Sequence, residues 1–214
     1  MTSSATGRFE ADPRWTRLPH AEPGNRIGLF GGSFNPAHSG HRLVAETALN
    51  RLKLDQVWWL VTPGNPLKDH GDLAPLSQRL EQAAALARHP RMKVTAIEAR
   101  LRTAYTAETL ARLKGLRPDL AFAWIMGADN LASFHRWQDW RGILNQVTVA
   151  VVNRPGASLS PLFAPAARAF ARYRLAEVDA PLALSMKPPH WVFLHAPLDP
   201  VSSTVLRARQ KEGL

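Results

Sequence analysis

Two histidines three residues apart, His38 and His41, are the side chains of this 214-residue chain best suited to act on a charged ligand. They follow the run Gly31-Gly32-Ser33-Phe34-Asn35 and precede a segment whose apolar residues have the spacing of a helix. A short apolar strand, a glycine-led turn and a helix N-terminus direct backbone N–H groups and the positive end of the helix dipole at one place. Glycines, which lack a Cβ, also let the backbone approach a ligand closely. The pattern therefore predicts a site for a polyanion.

Two other interpretations of the histidine pair are an ordinary helix surface and half of a zinc site. The chain has no cysteine and no H-E-x-x-H sequence, so zinc is disfavoured. No Gly-Lys-Ser/Thr follows the glycines, so this is not a Walker A loop. We predict no metal site built from protein side chains.

The composition is that of a globular protein with 45% hydrophobic residues, and the lack of cysteine suits a reducing cytoplasm. The net charge of +10 comes from 27 Lys and Arg against 17 Asp and Glu. These basic residues are dispersed, unlike the basic runs of DNA-binding arms, so they indicate an arginine-rich surface, the steering of anionic substrates, or both. A basic nucleic-acid-binding module remains the non-enzyme alternative. No apolar run approaches membrane-spanning length.

The chain is expected to form a mobile N-terminal extension over 1–25 and one domain over 26–214. Residues 1–25 show no helical or strand periodicity, contain three prolines and lack the apolar core of a secretory signal. Beyond them, apolar runs alternate with segments of helical period. Strands are predicted near 27–30, 56–62, 92–97, 120–126, 147–152 and 191–194, and a helix near 165–172. This alternation predicts an α/β fold with a doubly wound, mostly parallel Rossmann-like sheet and a small C-terminal helical part.

Several polar residues follow these predicted strands, where an open α/β sheet forms its ligand crevice. Lys68 suits a phosphate contact or a solvated surface, and Asp129 suits a ligand contact or a helix N-cap. Thr106 suits the cap of a helix that would stop at Gly115. Near the C-terminus, Ser202, Ser203 and Thr204 precede Arg207 and predict a second phosphate-facing helix start, or an N-cap with spare hydroxyls.

Residues 31–41 closely resemble the G-G-x-F-[DN]-P-x-H-x-G-H signature of the H-x-G-H nucleotidyltransferases, and 201–207 resemble their [IV]-S-[SA]-T-x-[IL]-R motif. Other segments are similar to one branch, the bacterial nicotinate-nucleotide adenylyltransferases. They are the loop 63–70, Y-T-A-x-T-L at 105–110, G-x-D-x-L at 127–131, F-x-x-W at 134–137 and R-P-G at 154–156. Asn35 stands where the commoner residue of the first motif is aspartate, which removes a negative charge beside the phosphates.

The resemblance implies transfer of the adenylyl group of ATP to nicotinate mononucleotide, with Mg²⁺ held mainly by the ATP phosphates. The catalytic residues it implies are His38, His41, Lys68 and Arg207. On the ATP side it implies Gly31, Gly32, Ser33, Phe34, Gly127, Asp129, Ser202, Ser203 and Thr204. On the nicotinate mononucleotide side it implies Asn35, Asn65, Thr106, Trp137 and Arg154.

Two related activities remain as alternatives, adenylyl transfer to nicotinamide mononucleotide and to phosphopantetheine. The segments at 105–110 and 134–137 argue against phosphopantetheine. The partners expected are ATP and nicotinate mononucleotide, without nucleic acid or membrane, and a homo-oligomer is possible. The expected location is the cytoplasm.

Overall fold

The computed structural model describes residues 12–64, 73–153 and 160–196. The strands are β1 Arg26–Gly32, β2 Gln56–Val61, β3 Met92–Thr95, β4 Ala121–Gly127, β5 Thr148–Val152, β6 Arg174–Leu175 and β7 Trp191–Leu194. The helices are α1 Pro13–Thr16, α2 Ser39–Arg51, α3 Leu76–Leu86, α4 Ile97–Leu101, α5 Thr106–Leu116, α6 Ala128–Ser133, α7 Trp140–Gln146 and α8 Pro165–Ala169. Short 3-10 helices occupy Phe134–Arg136, Ser160–Phe163, Ala171–Tyr173 and Glu177–Ser185.

The strands form one seven-stranded sheet in the order β3-β2-β1-β4-β5-β7-β6. Every neighbouring pair is parallel. The central strands are apolar after their first residue, as a parallel sheet covered on both faces requires. The sequence-based prediction of a doubly wound α/β sheet of Rossmann-like type is confirmed.

Successive residues of β1 show how the sheet divides the core into two layers. Leu29 packs with apolar residues of α5 and α7 on one face. The next residue, Phe30, packs with apolar residues of α2 and α3 on the other face. Because side chains alternate along a strand, an unbroken apolar run fills both layers at once.

Residues 12–25 pack against the domain. The carbonyl oxygen of Trp15, in α1, accepts hydrogen bonds from the Thr95 hydroxyl at 2.8 Å and the Ala96 N–H at 2.7 Å. Ala21 is buried, and its carbonyl accepts a bond from the Arg117 guanidinium at 2.8 Å. This packing differs from the mobile extension expected over 1–25; residues 1–11 lie outside the described residues.

Element boundaries differ from the sequence-based predictions mainly at caps. Tyr105 rather than Thr106 caps α5, and that helix runs one residue beyond Gly115. Gly127 occupies the cap position of α6, so Asp129 lies in the first turn instead. The helix predicted near 165–172 is split into α8 and a 3-10 turn. No helix in the described ranges is long and apolar enough to cross a membrane.

Candidate active site

The candidate site lies where the chain changes direction across the sheet. From β1 the chain continues to β2 and β3 on one side, whereas β4, β1's other neighbour, leads to β5, β7 and β6. The ligand crevice of such sheets lies beyond the carboxyl ends of the strands at this point, here β1 and β4. β1 ends at Gly32 and β4 at Gly127, so the predicted residues that follow each strand face the same edge.

The packing of the core requires a glycine at position 31. A Cβ on Gly31 would lie 2.4 Å from Cη2 of Trp124, a buried ring on neighbouring β4. A Cβ on Gly32 would lie 3.2 Å from the ring of Phe34, which is also tight. The two glycines thus let aromatic rings pack under the loop, in addition to the close approach to a ligand that the sequence predicts.

Phe34, in the loop after β1, has an unusual backbone conformation. Its φ is +46°, which is uncommon for a bulky residue. Its side chain is buried and stacks on Trp59, with ring centroids 5.1 Å apart and planes inclined by 28°. Such a conformation costs about 1–3 kcal/mol and persists only where packing enforces it, often at functional sites.

The two histidines form a reciprocal cap at the start of α2. The backbone N–H of Gly40 donates to Nδ1 of His38 at 3.1 Å, and the N–H of His38 donates to Nδ1 of His41 at 3.2 Å. The arrangement matches a capping box, with histidines in place of the usual hydroxyl and carboxyl side chains. Both rings are largely buried, and their centroids lie 3.9 Å apart.

This cap settles the tautomer of each ring. A nitrogen that accepts a hydrogen bond carries no proton, so the ring proton of each neutral imidazole is on Nε2. Each Nε2–H group is then a donor on a ring at the positive end of the α2 dipole. This arrangement suits the binding of phosphate oxygens.

Arg79 on α3 is a buried residue that our sequence analysis did not identify. Its Nη1 donates to the carbonyl oxygens of Ser33 and Thr62, both at 2.8 Å. Its Nε donates to the carbonyl of Ala74 at 2.9 Å, and Nη2 to that of Pro63 at 3.2 Å. Burial lowers the pKa of the Arg79 guanidinium from its ordinary value. One side chain thus joins the loop after β1, the end of β2 and the chain before α3.

A signal for Arg79 is present in the sequence. Leu76, Leu80 and Ala83 have the spacing of one helix face, and Arg79 lies within that apolar stripe. A cation in such a stripe must find buried acceptors, and here they are backbone carbonyls. Asn35 supports the same region, because its Oδ1 accepts a bond from the Ala74 N–H at 3.2 Å.

Trp124 is another residue that the sequence analysis did not identify, and it links β1 to Trp137, which the resemblance implies on the nicotinate mononucleotide side. Its indole lies against Gly31 and meets the ring of Trp137 edge to face, with centroids 6.3 Å apart. Trp137 is half-buried and also packs edge to face on Phe134 at 5.3 Å. The structure therefore brings Trp137 to the β4 side of the crevice.

Glu98 on α4 is a buried carboxyl group that the sequence analysis did not single out. The Thr109 hydroxyl donates to Oε1 of Glu98 at 3.1 Å and lies 2.8 Å from the Thr103 hydroxyl. Burial raises the pKa of Glu98 to about 7, although the hydroxyl groups of Thr109 and Thr62 act in the opposite direction.

The remaining predicted residues divide into two groups. Thr106 is the first residue of α5 and half-buried, and Asp129 is exposed in the first turn of α6, beyond β4. The others lie outside the described residues; they are Asn65, Lys68, Arg154, Ser202, Ser203, Thr204 and Arg207.

The side chains near the loop fit a metal that arrives on a nucleotide better than one held by the protein. Two imidazoles that each present a ring N–H suit phosphate oxygens, whereas Mg²⁺ prefers oxygen ligands. Among residues 12–64, 73–153 and 160–196, no group of three His, Cys, Asp or Glu side chains is placed to hold a metal ion.

Comparisons with known proteins agree with the geometry. The model of the cytidylyltransferase-like family matches residues 29–209. A probable nicotinate-nucleotide adenylyltransferase of Mesorhizobium japonicum is 54% identical over 194 residues, which cover 91% of this chain and 100% of that protein. One from Methylorubrum extorquens is 56% identical over 184 residues, covering 86% of this chain and 100% of that protein.

Two solved structures share the fold. Both are of the Plasmodium falciparum nicotinic acid mononucleotide adenylyltransferase, one complexed with APC and the other with NaAD. The TM-scores are 0.63 and 0.62, at 16% and 17% identity, and each match covers 86% of this chain and 83% of that chain.

Proposed function

We propose that this chain, which belongs to the nicotinate-nucleotide adenylyltransferases of the cytidylyltransferase-like family, transfers the adenylyl group of ATP to nicotinate mononucleotide. The products are nicotinate adenine dinucleotide, also called deamido-NAD, and pyrophosphate. The observation that carries the chemistry is the His38–His41 pair, with both Nδ1 atoms occupied as acceptors at the switch point of the sheet. The acceptor follows from the relatives, which span 91% and 86% of this chain and are named for the nicotinate nucleotide.

In this reaction a phosphate oxygen of nicotinate mononucleotide attacks the α-phosphorus of ATP in line. A new P–O bond forms, the bond from the α-phosphorus to the bridging oxygen breaks, and pyrophosphate leaves. No protein nucleophile is needed, so catalysis consists of positioning the two substrates and stabilising the charge that moves onto the leaving group.

The roles that we assign follow from this charge movement. The Nε2–H groups of His38 and His41 donate to the α- and β-phosphate oxygens, and the backbone around Gly31 and Gly32 carries the nucleotide. Lys68 and Arg207 neutralise charge on pyrophosphate. The other ATP contacts are Ser33, Phe34, Gly127, Asp129, Ser202, Ser203 and Thr204. The nicotinate mononucleotide contacts are Asn35, Asn65, Thr106, Trp137 and Arg154.

Mg²⁺ fits this scheme as a companion of ATP. It would be held by the triphosphate oxygens, and it would neutralise part of their charge when bound. Asn35 offers an amide oxygen, which accepts a hydrogen bond from the Ala74 N–H, and we assign it no contact with the metal.

The test is pyrophosphate release from ATP with three candidate acceptors supplied separately, nicotinate mononucleotide, nicotinamide mononucleotide and phosphopantetheine. The proposal expects rapid release with nicotinate mononucleotide and formation of an equal amount of the dinucleotide. Release with phosphopantetheine alone, or with no acceptor, would overturn it.

A further inference from the structure

Trp124 is a buried residue that the reaction above leaves without a task, although it contacts residues assigned to both substrates. Its side chain is 2% exposed. Its indole lies so close to Gly31 that a Cβ there would be 2.4 Å from Cη2. The same indole meets the ring of Trp137 edge to face, with centroids 6.3 Å apart and planes inclined by 80°. One side chain of β4 therefore joins a glycine on the ATP side to a tryptophan on the nicotinate mononucleotide side.

Two ring contacts fix the indole of Trp137. This residue is half-buried and follows the 3-10 helix Phe134–Arg136 with extended backbone. The ring of Phe134 lies 5.3 Å away at an interplanar angle of 75°, and the ring of Trp124 forms the second contact. Edge-to-face pairs have a preferred angle as well as a preferred distance. The two contacts therefore restrict the tilt of the Trp137 ring.

Gly31, by contrast, is held by the sheet. It pairs in register with Leu60 of β2, within a strand that has a parallel neighbour on both sides. Loss of the Trp124 ring would remove a neighbour of Gly31 but no bond that fixes its backbone. The side chain of Trp137 has no such backbone support, so its orientation depends more strongly on Trp124.

We propose that Trp124 is a positioning residue that holds the Trp137 ring at a fixed tilt before nicotinate mononucleotide binds; this rests on the proposed function. A ring that is already held loses little side-chain entropy when it covers the nicotinate ring, so the substrate binds more tightly. Trp124 itself touches no reacting atom in this scheme. Its effect falls on KM for nicotinate mononucleotide, whereas kcat and KM for ATP do not depend on it.

The functional test compares Trp124→Leu with Trp58→Leu in the assay of pyrophosphate release. Trp58 is the matched control, because both tryptophans are buried in the same layer of the core and each pairs in register with Leu29 of β1. KM for nicotinate mononucleotide should rise about two- to tenfold in Trp124→Leu, the effect of having to order one side chain on binding. It should be unchanged in Trp58→Leu. Neither substitution should change KM for ATP.

The control also separates positioning from a general loss of stability. Nε1 of Trp58 donates to Oε1 of Gln56 at 2.8 Å, so Trp58→Leu removes a hydrogen bond as well as a ring. Nε1 of Trp124 has no hydrogen-bond partner among the described residues. A rise in KM caused by lower stability should therefore be at least as large in Trp58→Leu. An equal rise in both variants, or no rise in Trp124→Leu, would overturn the proposal.

Trp124→Phe provides a milder variant. It keeps an aromatic edge, so its KM for nicotinate mononucleotide should lie between those of the wild type and Trp124→Leu. If Trp124→Leu does not fold, the comparison is made between Trp124→Phe and Trp58→Phe. A KM for Trp124→Phe equal to that of Trp58→Phe would then overturn the proposal.

A second readout does not depend on the reaction. In the free protein labelled with ¹⁵N-tryptophan, the Trp137 indole N–H signal is assigned by its loss in Trp137→Phe. Its order parameter should be about 0.85 in the wild type and in Trp58→Leu, and should fall toward about 0.6 in Trp124→Leu. An unchanged order parameter in Trp124→Leu would overturn the proposal. If the order parameter falls but the wild type releases no pyrophosphate with nicotinate mononucleotide, it is the proposed function that fails.

Discussion

The backbone N–H of His38 donates to Nδ1 of His41 at 3.2 Å, and the two imidazole rings lie 3.9 Å apart. Nδ1 of His41 therefore takes part in the cap of α2, whereas the proposed donation to the phosphates uses Nε2. In this proposal stability and catalysis depend on different nitrogen atoms of the same ring, so they can be separated by substitution.

His41→Ala should lower kcat by about 10²–10³-fold, the usual effect of losing one donor that acts on transition-state charge. It should also lower the free energy of unfolding by about 1 kcal/mol, because the cap is lost. His41→Glu restores an acceptor for the His38 N–H but has no proton to donate, so it should recover stability while kcat stays low. His20→Ala, at an exposed position, is the control. A glutamate variant with near-normal kcat would show that His41 acts only as a cap.

Gly31→Ala should destabilise the protein by about 1–3 kcal/mol, the range for overpacked cores. The added Cβ would lie 2.4 Å from the buried Trp124 ring, which has little room to move. Gly115→Ala is the matched control, since nothing lies within 4 Å of its Cβ position inside α5. It should stabilise by up to about 1 kcal/mol, because alanine favours helix more than glycine does. The free energy of unfolding of each variant is measured by chemical denaturation. An equal change in Gly31→Ala and Gly115→Ala would contradict the packing role of Gly31.

Arg79→Met should lower the free energy of unfolding by at least about 3 kcal/mol, since each buried carbonyl left without a donor costs about 1–3 kcal/mol. Arg79→Lys should restore only part of the lost free energy of unfolding, because one ammonium group cannot reach all the carbonyls that the planar guanidinium group reaches. Arg88→Met, on the exposed surface, should change stability by no more than about 0.5 kcal/mol. If lysine restored the full free energy of unfolding, the positive charge alone, and not the shape of the guanidinium group, would hold the three segments together.

Glu98 should make stability depend on pH in a defined direction. Its pKa is raised by burial to about 7 in the folded protein, against 4.5 ordinarily. The folded state therefore binds a proton that the unfolded state has released, so the contribution is complete below about pH 4.5 and is lost as pH rises through 7. Relative to Glu98→Gln, the wild type should lose about 2–3 kcal/mol between pH 5 and pH 8. Parallel denaturation curves of the two proteins at both pH values would contradict this.

The central strands could be predicted from the sequence because they are apolar on both faces. Residues 191–194 illustrate this, since the predicted and observed strands coincide. The helix over Pro13–Thr16 could not be predicted, because it is four residues long and is held by contacts that Trp15 makes with residues 80 positions away. Local periodicity carries no information about such contacts.

The loop of the candidate site could be predicted from the sequence, whereas the buried residues that hold it in place could not. The glycines and histidines of 31–41 form a local pattern, and the structure places them together at one helix start. The partners of Arg79 are backbone carbonyls, which are the same for every residue type, so no sequence pattern identifies them. Glu98 was missed for a related reason, since its partner Thr109 comes from a different helix, α5.

The most direct test of the proposed function compares kcat/KM for nicotinate and nicotinamide mononucleotides with saturating Mg²⁺-ATP. In the proposed pocket, donors serve both oxygens of the nicotinate carboxylate while Trp137 covers the ring. The amide would turn its NH₂ toward one of those donors. An unsatisfied buried group costs about 1–3 kcal/mol, and the lost charge-assisted bond adds to this. We expect a preference of about tenfold or more for nicotinate mononucleotide; equal values, or a preference for the amide, would contradict the proposed substrate.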